Sequence, residues 1–307
     1  MSGLRIGTRG SALALWQAHA VASRLAGRGV TTEIVTYKTS GDRLQDAPLT
    51  DVGTKGLFVK ELEDALLQGA IDVAVHSAKD MSVTLPEGLT VVAVLPREDP
   101  RDALVLPGAP PAAGLAEIEA MLGDAPAIGT GSIRRSAQLQ ARWPRARFAP
   151  IRGNVDTRLR KLDEGGFDAL VLAAAGLRRL GHPGRITLAL DPADCLPAPS
   201  QGIVAIEARA NAPAVLAALN DGEAFASFRA ERALVSALGG GCQLPLGALA
   251  THRNGALEME AVVIAPGGTR QVRHAASGSP ADPEELGRRL AGDLAARGAV
   301  AILDEVR

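Results

Sequence analysis

Ile6-Gly7-Thr8-Arg9-Gly10-Ser11 and Ile128-Gly129-Thr130-Gly131-Ser132 are two copies of one pattern in this chain. In each copy, a short apolar run ends in a turn of Thr, Gly and Ser that leads into an amphipathic stretch. A second match follows in the same order, because residues 69–75 (GAIDVAV) resemble residues 166–171 (GFDALV). The repeat predicts two similar α/β domains that face each other across a cleft.

Apolar and amphipathic stretches alternate through the first two thirds of the chain. We expect strands at residues 4–8, 32–36, 71–75, 91–95, 127–129 and 169–173, and helices at residues 11–26, 57–67, 132–142 and 155–164. Strands that alternate with helices predict parallel, doubly wound sheets. A strand-like run at 202–209 is expected to return to the first domain. Residues 39–56 are polar and glycine-rich, as is typical of a lid or a disordered segment.

The last third of the chain has a different pattern. A helix is expected at 223–238, strands at 246–251, 257–264 and 269–274, and a closing helix at 283–297. This order predicts a small antiparallel α+β domain. The fold class is therefore α/β with an appended α+β domain, divided as residues 1–96 with 197–217 (domain 1), 99–193 (domain 2) and 221–307 (domain 3).

The composition excludes several function classes. The net charge is −1 and aromatic residues make up 3% of the chain, which argues against binding nucleic acid. The N-terminus has no secretory pattern and no window is long and apolar enough to span a membrane, so we expect a cytoplasmic protein. The five histidines are scattered without the spacing of metal ligands, and no metal site is predicted.

Gly239-Gly240-Gly241-Cys242-Gln243 places one of only two cysteines beside three glycines. Two cysteines cannot form a disulfide framework or a zinc cluster. A lone cysteine is more often a small buried filler than a functional group. The glycines, however, leave one side of the sulfur open to a bulky group, which also allows a thiol that carries or attacks something.

Arginines accumulate at the turns of the repeat and shortly after it. Arg9 lies in the first turn, and Arg134 and Arg135 follow the second. A guanidinium binds carboxylate or phosphate through paired hydrogen bonds, and a helix start also favours anions. A single arginine is usually a solvated surface charge. Several of them at matching positions predict a cleft for a substrate with several anionic groups.

His76-Ser77-Ala78-Lys79-Asp80 follows a predicted buried strand. The carboxyl ends of such strands are where open α/β sheets bind ligands. Asp80 would then be a carboxylate among cations, suited to handling protons or stabilising a cationic intermediate. A helix cap or an ion-pair partner explains Asp80 about equally well from these residues alone.

Together these stretches resemble the hydroxymethylbilane synthase (porphobilinogen deaminase) family. The segments that carry the resemblance are residues 5–9, 13–18, 55–61, 75–80, 97–102, 152–155, 197–198, 201–202 and 240–245. The resemblance covers the chain to about residue 250. It implies a three-domain fold whose first two domains resemble type II periplasmic binding proteins.

The resemblance also implies a transferase reaction of porphyrin (tetrapyrrole) biosynthesis. Four porphobilinogen molecules are joined head to tail with loss of four ammonia, and water then releases linear hydroxymethylbilane. The growing chain is held on a dipyrromethane cofactor, bound as a thioether to the cysteine that matches Cys242. The matching catalytic carboxylate is Asp80. The family further implies a monomer.

Each pyrrole of such a chain carries an acetate and a propionate, which explains the need for cations. The residues that match cofactor- or substrate-binding positions are Arg9, Ser11, Lys55, Ser77, Lys79, Thr130, Ser132, Arg134, Arg135, Arg152, Arg158 and Arg179. Gln201 is expected at a domain interface. Gly131 and Asp51 depart from the family pattern. A serine is common at the position of Gly131, and some members have lysine at the position of Asp51.

A second class of protein fits part of the sequence: an anion-binding receptor or regulator domain on the same scaffold. It explains the repeat and the cationic turns. It does not explain Cys242 on its glycine loop or the additional domain, and a relative without activity would be expected to lose Asp80.

Overall fold

The computed structural model describes residues 3–38, 59–240 and 244–306. The predicted lid at 39–56, Lys55 and Cys242 lie outside the described residues. The strands are β1 (Leu4–Arg9), β2 (Thr32–Tyr37), β3 (Val73–Ser77), β4 (Leu89–Val94), β5 (Asp102–Val105), β6 (Ala127–Gly129), β7 (Arg147–Ala149), β8 (Ala169–Ala173), β9 (Leu188–Ala189), β10 (Val204–Arg209), β11 (Leu246–Arg253), β12 (Ala256–Ile264) and β13 (Gln271–Gly278).

The helices in the described part of the chain follow the amphipathic stretches of the sequence. They are α1 (Ala12–Ala26), α2 (Lys60–Leu67), α3 (Leu115–Leu122), α4 (Ile133–Gln140), α5 (Val155–Asp163), α6 (Ala174–Arg179), α7 (Ala214–Ala217), α8 (Gly222–Ala237), α9 (Pro283–Ala296) and α10 (Ala299–Asp304). Single 3₁₀ turns cover Ala78–Asp80 and Pro183–Arg185.

The chain divides into two compact units. The first contains Met1–Arg97 and Ile203–Phe225, and the second contains Glu98–Gly202 and Ala226–Arg307. Among the described residues, the sheet of the first unit has the strand order β2-β1-β3-β10-β4. Strand β10 joins this sheet between β3 and β4, as predicted for residues 202–209.

The second unit contains a sheet with the order β7-β6-β8-β5-β9 in the part of the chain described. Position by position, β7, β6, β8, β5 and β9 take the places that β2, β1, β3, β10 and β4 have in the first sheet. The sequence repeat therefore corresponds to a repeat of topology. The predicted parallel pairing is confirmed for β2-β1-β3 and β7-β6-β8. It is wrong for β10 and β5, which each run antiparallel to both neighbours. Hydrophobic periodicity reports which face of a strand is buried and not its direction, and mixed sheets of this kind are common.

The repeated glycines have the same structural reason in both copies. A Cβ atom on Gly7 in β1 would lie 2.3 Å from Ile71 Cδ1, and one on Gly129 in β6 would lie 2.5 Å from Leu170 Cδ2. In both copies a neighbouring aliphatic side chain therefore packs directly onto the glycine backbone, and a larger residue at either position would displace that side chain.

A third sheet, β11-β12-β13, lies in the second unit and is antiparallel throughout. Its buried face packs against α8, α9 and α10 around an aliphatic core that includes Leu234, Met259 and Leu290. The helix and strand pattern predicted for the last third of the chain is thus observed. Residues 197–202 belong to the second unit, and the predicted three-domain boundaries stay a prediction.

Candidate functional site

A pocket in the first unit brings together residues that are distant in the sequence. Among the described residues, its lining includes Arg9 from the end of β1, Ser11 from the start of α1, and Ser77 and Asp80 from the end of β3 and the turn after it. All four were predicted site residues. They meet because β1 and β3 are adjacent parallel strands, whose carboxyl ends lie at the same edge of the sheet.

Two serine hydroxyls of this pocket are oriented by the protein itself. Ser11 caps α1, and its oxygen accepts a hydrogen bond from the Ala14 amide at 3.3 Å. The Ser77 oxygen accepts a hydrogen bond from Gln17 Nε2 at 2.8 Å. A hydroxyl that accepts in this way still carries a proton to donate. Both serines can therefore donate to an anion in the pocket.

The carboxylate of Asp80 lies on the exposed side of the pocket. Asp80 ends the 3₁₀ turn Ala78–Asp80, is exposed, and follows the half-buried Lys79. The turn is held to the first sheet because the Ala78 amide donates to the Ile203 carbonyl at 3.0 Å. The structure thus presents Asp80 on a fixed turn at the carboxyl end of β3, where the sequence predicted a ligand site.

Gln17 is a site residue that sequence reasoning missed. It lines the pocket, is 1% exposed and orients Ser77. The buried face of α1 is otherwise apolar, with Ala14, Val21 and Leu25 at helical spacing. A glutamine within that apolar stripe was the available signal, because a buried amide needs a polar partner.

The second unit repeats the local geometry of the first. Ser132 caps α4 and accepts from the Arg135 amide at 3.4 Å. Thr130 accepts from the Ser132 amide at 3.2 Å and is largely buried. Ser132 thus caps α4 as Ser11 caps α1. The two threonines differ, because Thr8 Oγ1 donates to the Ala14 carbonyl at 3.1 Å.

Arg134 and Arg135 are buried and paired with a carboxylate. Arg134 is 4% and Arg135 is 7% exposed, and both bind Asp102, which is fully buried. Arg134 Nη1 donates to Asp102 Oδ2 at 2.7 Å, and Arg135 Nη2 donates to Asp102 Oδ1 at 2.7 Å. Burial alone would raise the pKa of Asp102, but the two guanidinium groups reverse this effect and lower its pKa well below the ordinary range.

The contacts of this cluster bear on the role predicted for the two arginines. Arg134 Nη1 also donates to the Leu196 carbonyl at 2.7 Å, and Arg135 Nη1 donates to the Val171 carbonyl at 3.0 Å. Much of their hydrogen-bonding capacity is therefore used within the second unit. Their role in binding carboxylates stays a prediction, and Asp102, which sequence reasoning missed, is a required partner of both.

The remaining predicted arginines have different surroundings. Arg152 and Arg158 are half-buried around the start of α5, and Arg158 Nε donates to the Gly153 carbonyl at 2.8 Å. Arg179, at the end of α6, donates through Nη2 to the Gly202 carbonyl at 2.6 Å. Burial lowers the pKa of Arg179 to about 10, with Glu98 opposing the shift. It remains a cation at neutral pH.

Gln201 was predicted at a domain interface, and the structure places it beside Asp102. Its Nε2 donates to Asp102 Oδ1 at 2.9 Å and to the Pro100 carbonyl at 2.7 Å.

Within the described ranges, no group of three or more His, Cys, Asp or Glu residues could hold a metal ion. Likewise, no helix in the described part of the chain is long and apolar enough to cross a membrane.

Comparisons with known proteins give consistent matches along the chain. Residues 4–217 match the family model "Porphobilinogen deaminase, dipyromethane cofactor binding domain", and residues 225–296 match "Porphobilinogen deaminase, C-terminal domain". A porphobilinogen deaminase of Moorella thermoacetica is 48% identical over 99% of this chain and 96% of its own length. One of Thiobacillus denitrificans is 46% identical over 99% of both chains.

Solved structures give weaker matches. The VFT2 domain of Bordetella pertussis BvgS is 18% identical, covers 71% of this chain and 84% of its own, and has a TM-score of 0.40. An ancestral cationic amino acid solute binding protein is 17% identical, covers 71% and 86%, and has the same TM-score. At these scores the family assignment rests on the family models and the curated relatives.

The fold and the pocket define an α/β enzyme that gathers hydroxyl and guanidinium donors beside an exposed carboxylate. The family models and relatives then specify the enzyme: the chain belongs to the porphobilinogen deaminase family. It is a transferase of tetrapyrrole synthesis with hydroxymethylbilane synthase function, as the resemblance implied. The predicted dipyrromethane cofactor is confirmed at the level of the family, whose cofactor-binding domain spans residues 4–217.

The donors in the described residues fit that cofactor. Two linked porphobilinogen units carry several carboxylates, which require cations and O–H or N–H donors. Arg9, Ser11 and Ser77 supply such donors in the first unit.

Proposed function

We propose that Asp80 is the catalytic carboxylate of a hydroxymethylbilane synthase whose dipyrromethane is bound to Cys242. The observation that supports this most is the pocket of the first unit, where Asp80 lies with Arg9, Ser11 and Ser77. A site for a pyrrole that carries carboxylates needs donors for the carboxylates and an acceptor for the ring N–H. The pocket contains both.

Asp80 acts on the pyrrole nitrogens of the substrate. Its oxygens accept hydrogen bonds from pyrrole N–H groups and stabilise the positive charge that develops when the ammonia leaves. A carboxylate already aimed at the site of developing charge lowers the barrier without reorganising. Because Asp80 is on an exposed turn, it can also exchange protons with water between steps.

The cations and hydroxyls hold the substrate while Asp80 acts. Arg9, Ser11, Ser77 and Lys79 bind substrate or cofactor carboxylates from the first unit. Lys55 is a further carboxylate-binding residue. The carboxylate-binding residues of the second unit are Thr130, Ser132, Arg134, Arg135, Arg152, Arg158 and Arg179. Bidentate guanidinium contacts fix the orientation of a carboxylate as well as its position.

The dipyrromethane supplies the primer to which substrate pyrroles are added. Cys242 carries it through a thioether. Cys195, the other cysteine, is fully buried, and burial raises the pKa of its thiol to about 12. Cys195 is therefore unsuited to form the link, since the thiolate is the nucleophile.

The substrate is porphobilinogen and the product linear hydroxymethylbilane, and we propose a cytoplasmic monomer that binds neither nucleic acid nor membrane. A net charge of −1 and an aromatic content of 3% provide no electrostatic or stacking surface for nucleic acid. Sedimentation of the purified enzyme tests the monomer, which a stable dimer at micromolar concentration would contradict.

The variant Asp80→Asn tests the catalytic role. We expect the rate of porphobilinogen consumption to fall by about 10²- to 10⁴-fold, while the covalently bound pyrrole content and the melting temperature stay near those of the wild type. Glu87→Gln is the matched control, because Glu87 is also exposed but does not line the pocket. Normal turnover in Asp80→Asn would remove Asp80 from the mechanism.

A further inference from the structure

Gln138 is a buried polar residue of the second unit that the mechanism above does not use. It lies on α4, the helix that also carries Arg134, and it is 7% exposed. Gln138 Oε1 accepts a hydrogen bond from the Leu196 amide at 2.8 Å, and Gln138 Nε2 donates to the Leu196 carbonyl at 3.0 Å. Because the side-chain amide binds both backbone groups of Leu196, it fixes the orientation of that backbone as well as its position.

The Leu196 carbonyl is shared with Arg134. Arg134 Nη1 donates to this oxygen at 2.7 Å and to Asp102 Oδ2 at 2.7 Å. These two acceptors set the orientation of the guanidinium. Asp102 is held in strand β5, whereas Leu196 lies outside the helices and strands. The Leu196 carbonyl therefore depends on side chains for its support, and Gln138 provides it.

Arg134 keeps one edge of its guanidinium for a ligand. In the described part of the chain, the hydrogen bonds of this group all pass through Nη1. Arg135 differs, because its Nε and Nη2 bind Asp102 and its Nη1 binds the Val171 carbonyl. Two parallel N–H groups on one edge of a guanidinium are the donors that bind a carboxylate in bidentate fashion. Arg134 presents such an edge through Nε and Nη2.

The same backbone supports the strand that follows the cysteine. Strand β11 begins four residues after Cys242 in the sequence. The Ala248 amide in β11 donates to the Pro197 carbonyl at 2.9 Å. A Cβ atom on Gly247 would lie 2.7 Å from the Leu196 carbonyl oxygen, so β11 packs directly onto this carbonyl. The backbone that Gln138 holds thus connects α4 with the start of β11.

We propose that Gln138 is a positioning residue of the enzyme. It holds the Leu196 carbonyl so that Arg134 presents its Nε–Nη2 edge to a pyrrole carboxylate in one fixed orientation. Gln138 acts through Arg134 and not on the ligand. This inference rests on the proposed function for the ligand that Arg134 binds, but not for the orientation of Arg134 itself.

The orientation is tested by the crystal structure of Gln138→Met, without reference to activity. Methionine is unbranched and of similar length, but it lacks the amide. We expect Arg134 Nη1 to lose its hydrogen bond to the Leu196 carbonyl and the guanidinium to turn. Gln140→Met is the matched control, because the Gln140 amide on the same helix binds only local carbonyls, those of residues 143, 144 and 146. An unchanged Arg134 in Gln138→Met would overturn the proposal.

The effect on the reaction is tested by a double-mutant cycle. Gln138→Met should lower kcat/KM for porphobilinogen on the order of tenfold, and Gln140→Met should leave it near the wild-type value. Arg134→Lys keeps the positive charge but removes the edge that Gln138 orients. Adding Gln138→Met to Arg134→Lys should therefore cause little further loss. The same factor of loss in both backgrounds would indicate a merely structural role and refute the proposal.

Gly247→Ala perturbs the Leu196 carbonyl from the other side and leaves Gln138 and Arg134 intact. Its Cβ would press on the carbonyl oxygen, so kcat/KM should fall as in Gln138→Met. This variant decides the question if Gln138→Met does not fold, and a folded Gly247→Ala with normal kcat/KM would then contradict the proposal. If Arg134→Lys kept the wild-type kcat/KM, the proposed binding role of Arg134 would fail, while the crystal structure of Gln138→Met would still decide its orientation.

Discussion

Replacing Asp102 by asparagine tests how far Arg134 and Arg135 depend on their buried partner. Asp102 begins β5 and accepts hydrogen bonds from both guanidinium groups and from Gln201 Nε2. Asparagine keeps the shape and one acceptor oxygen, but it presents an NH₂ group and no charge. Two buried cations would then face each other without a counter-ion.

The magnitude follows from the burial of this cluster. Asp102 is 0% exposed and the arginines 4% and 7%, so solvent screens the interaction little. Removing one partner from a buried ion pair typically costs about 3–5 kcal/mol. For a unit of this size each kcal/mol lowers the melting temperature by about 2–4 °C. We expect Asp102→Asn to melt about 6–20 °C below the wild type.

The assay is thermal and urea unfolding of the purified enzyme, with Asp163→Asn as the matched control. Asp163 also pairs with an arginine of the second unit, Arg185, but its side chain is 48% exposed. Exposed pairs contribute about 0–1 kcal/mol. If Asp102→Asn were no less stable than Asp163→Asn, the buried ion cluster would not hold the second unit together and the reasoning would be refuted.

Two further predictions concern a pocket residue and a buried thiol. Gln17→Leu removes the hydrogen bond that orients Ser77, so kcat/KM should fall by about 2- to 12-fold with an unchanged circular dichroism spectrum; unchanged kinetics would remove Gln17 from the site. Cys195 should resist an alkylating reagent in the native enzyme, because it is fully buried and its thiol pKa is raised to about 12. Mass analysis after labelling checks this, and rapid native labelling of Cys195 would contradict its burial.

Much of the fold was predictable because its pattern is local. The spacing of apolar residues predicted α1, β6, β8 and α9 to within a residue or two. The repeat predicted the matching turns at Ser11 and Ser132. Their helix caps follow from residue type, since serine favours the position before a helix.

The parts that the sequence did not reveal depend on contacts between distant segments. Strand β5 is only four residues long and is not among the predicted strands. The antiparallel direction of β10 depends on which sheet it joins. Arg134 and Arg135 were predicted to bind anionic groups, but their pairing with Asp102 joins residues more than thirty positions apart. No local pattern encodes such a partner.

The most direct test of the central claim is the intact mass of the purified enzyme under denaturing conditions. The account predicts the mass of the polypeptide plus two porphobilinogens less two ammonia, and the bare polypeptide mass for Cys242→Ala. Exposure of the wild type to porphobilinogen should then add further pyrrole units in steps. A wild-type protein of bare mass that gains nothing from porphobilinogen would contradict the account, as would a Cys242→Ala variant that retains the added mass.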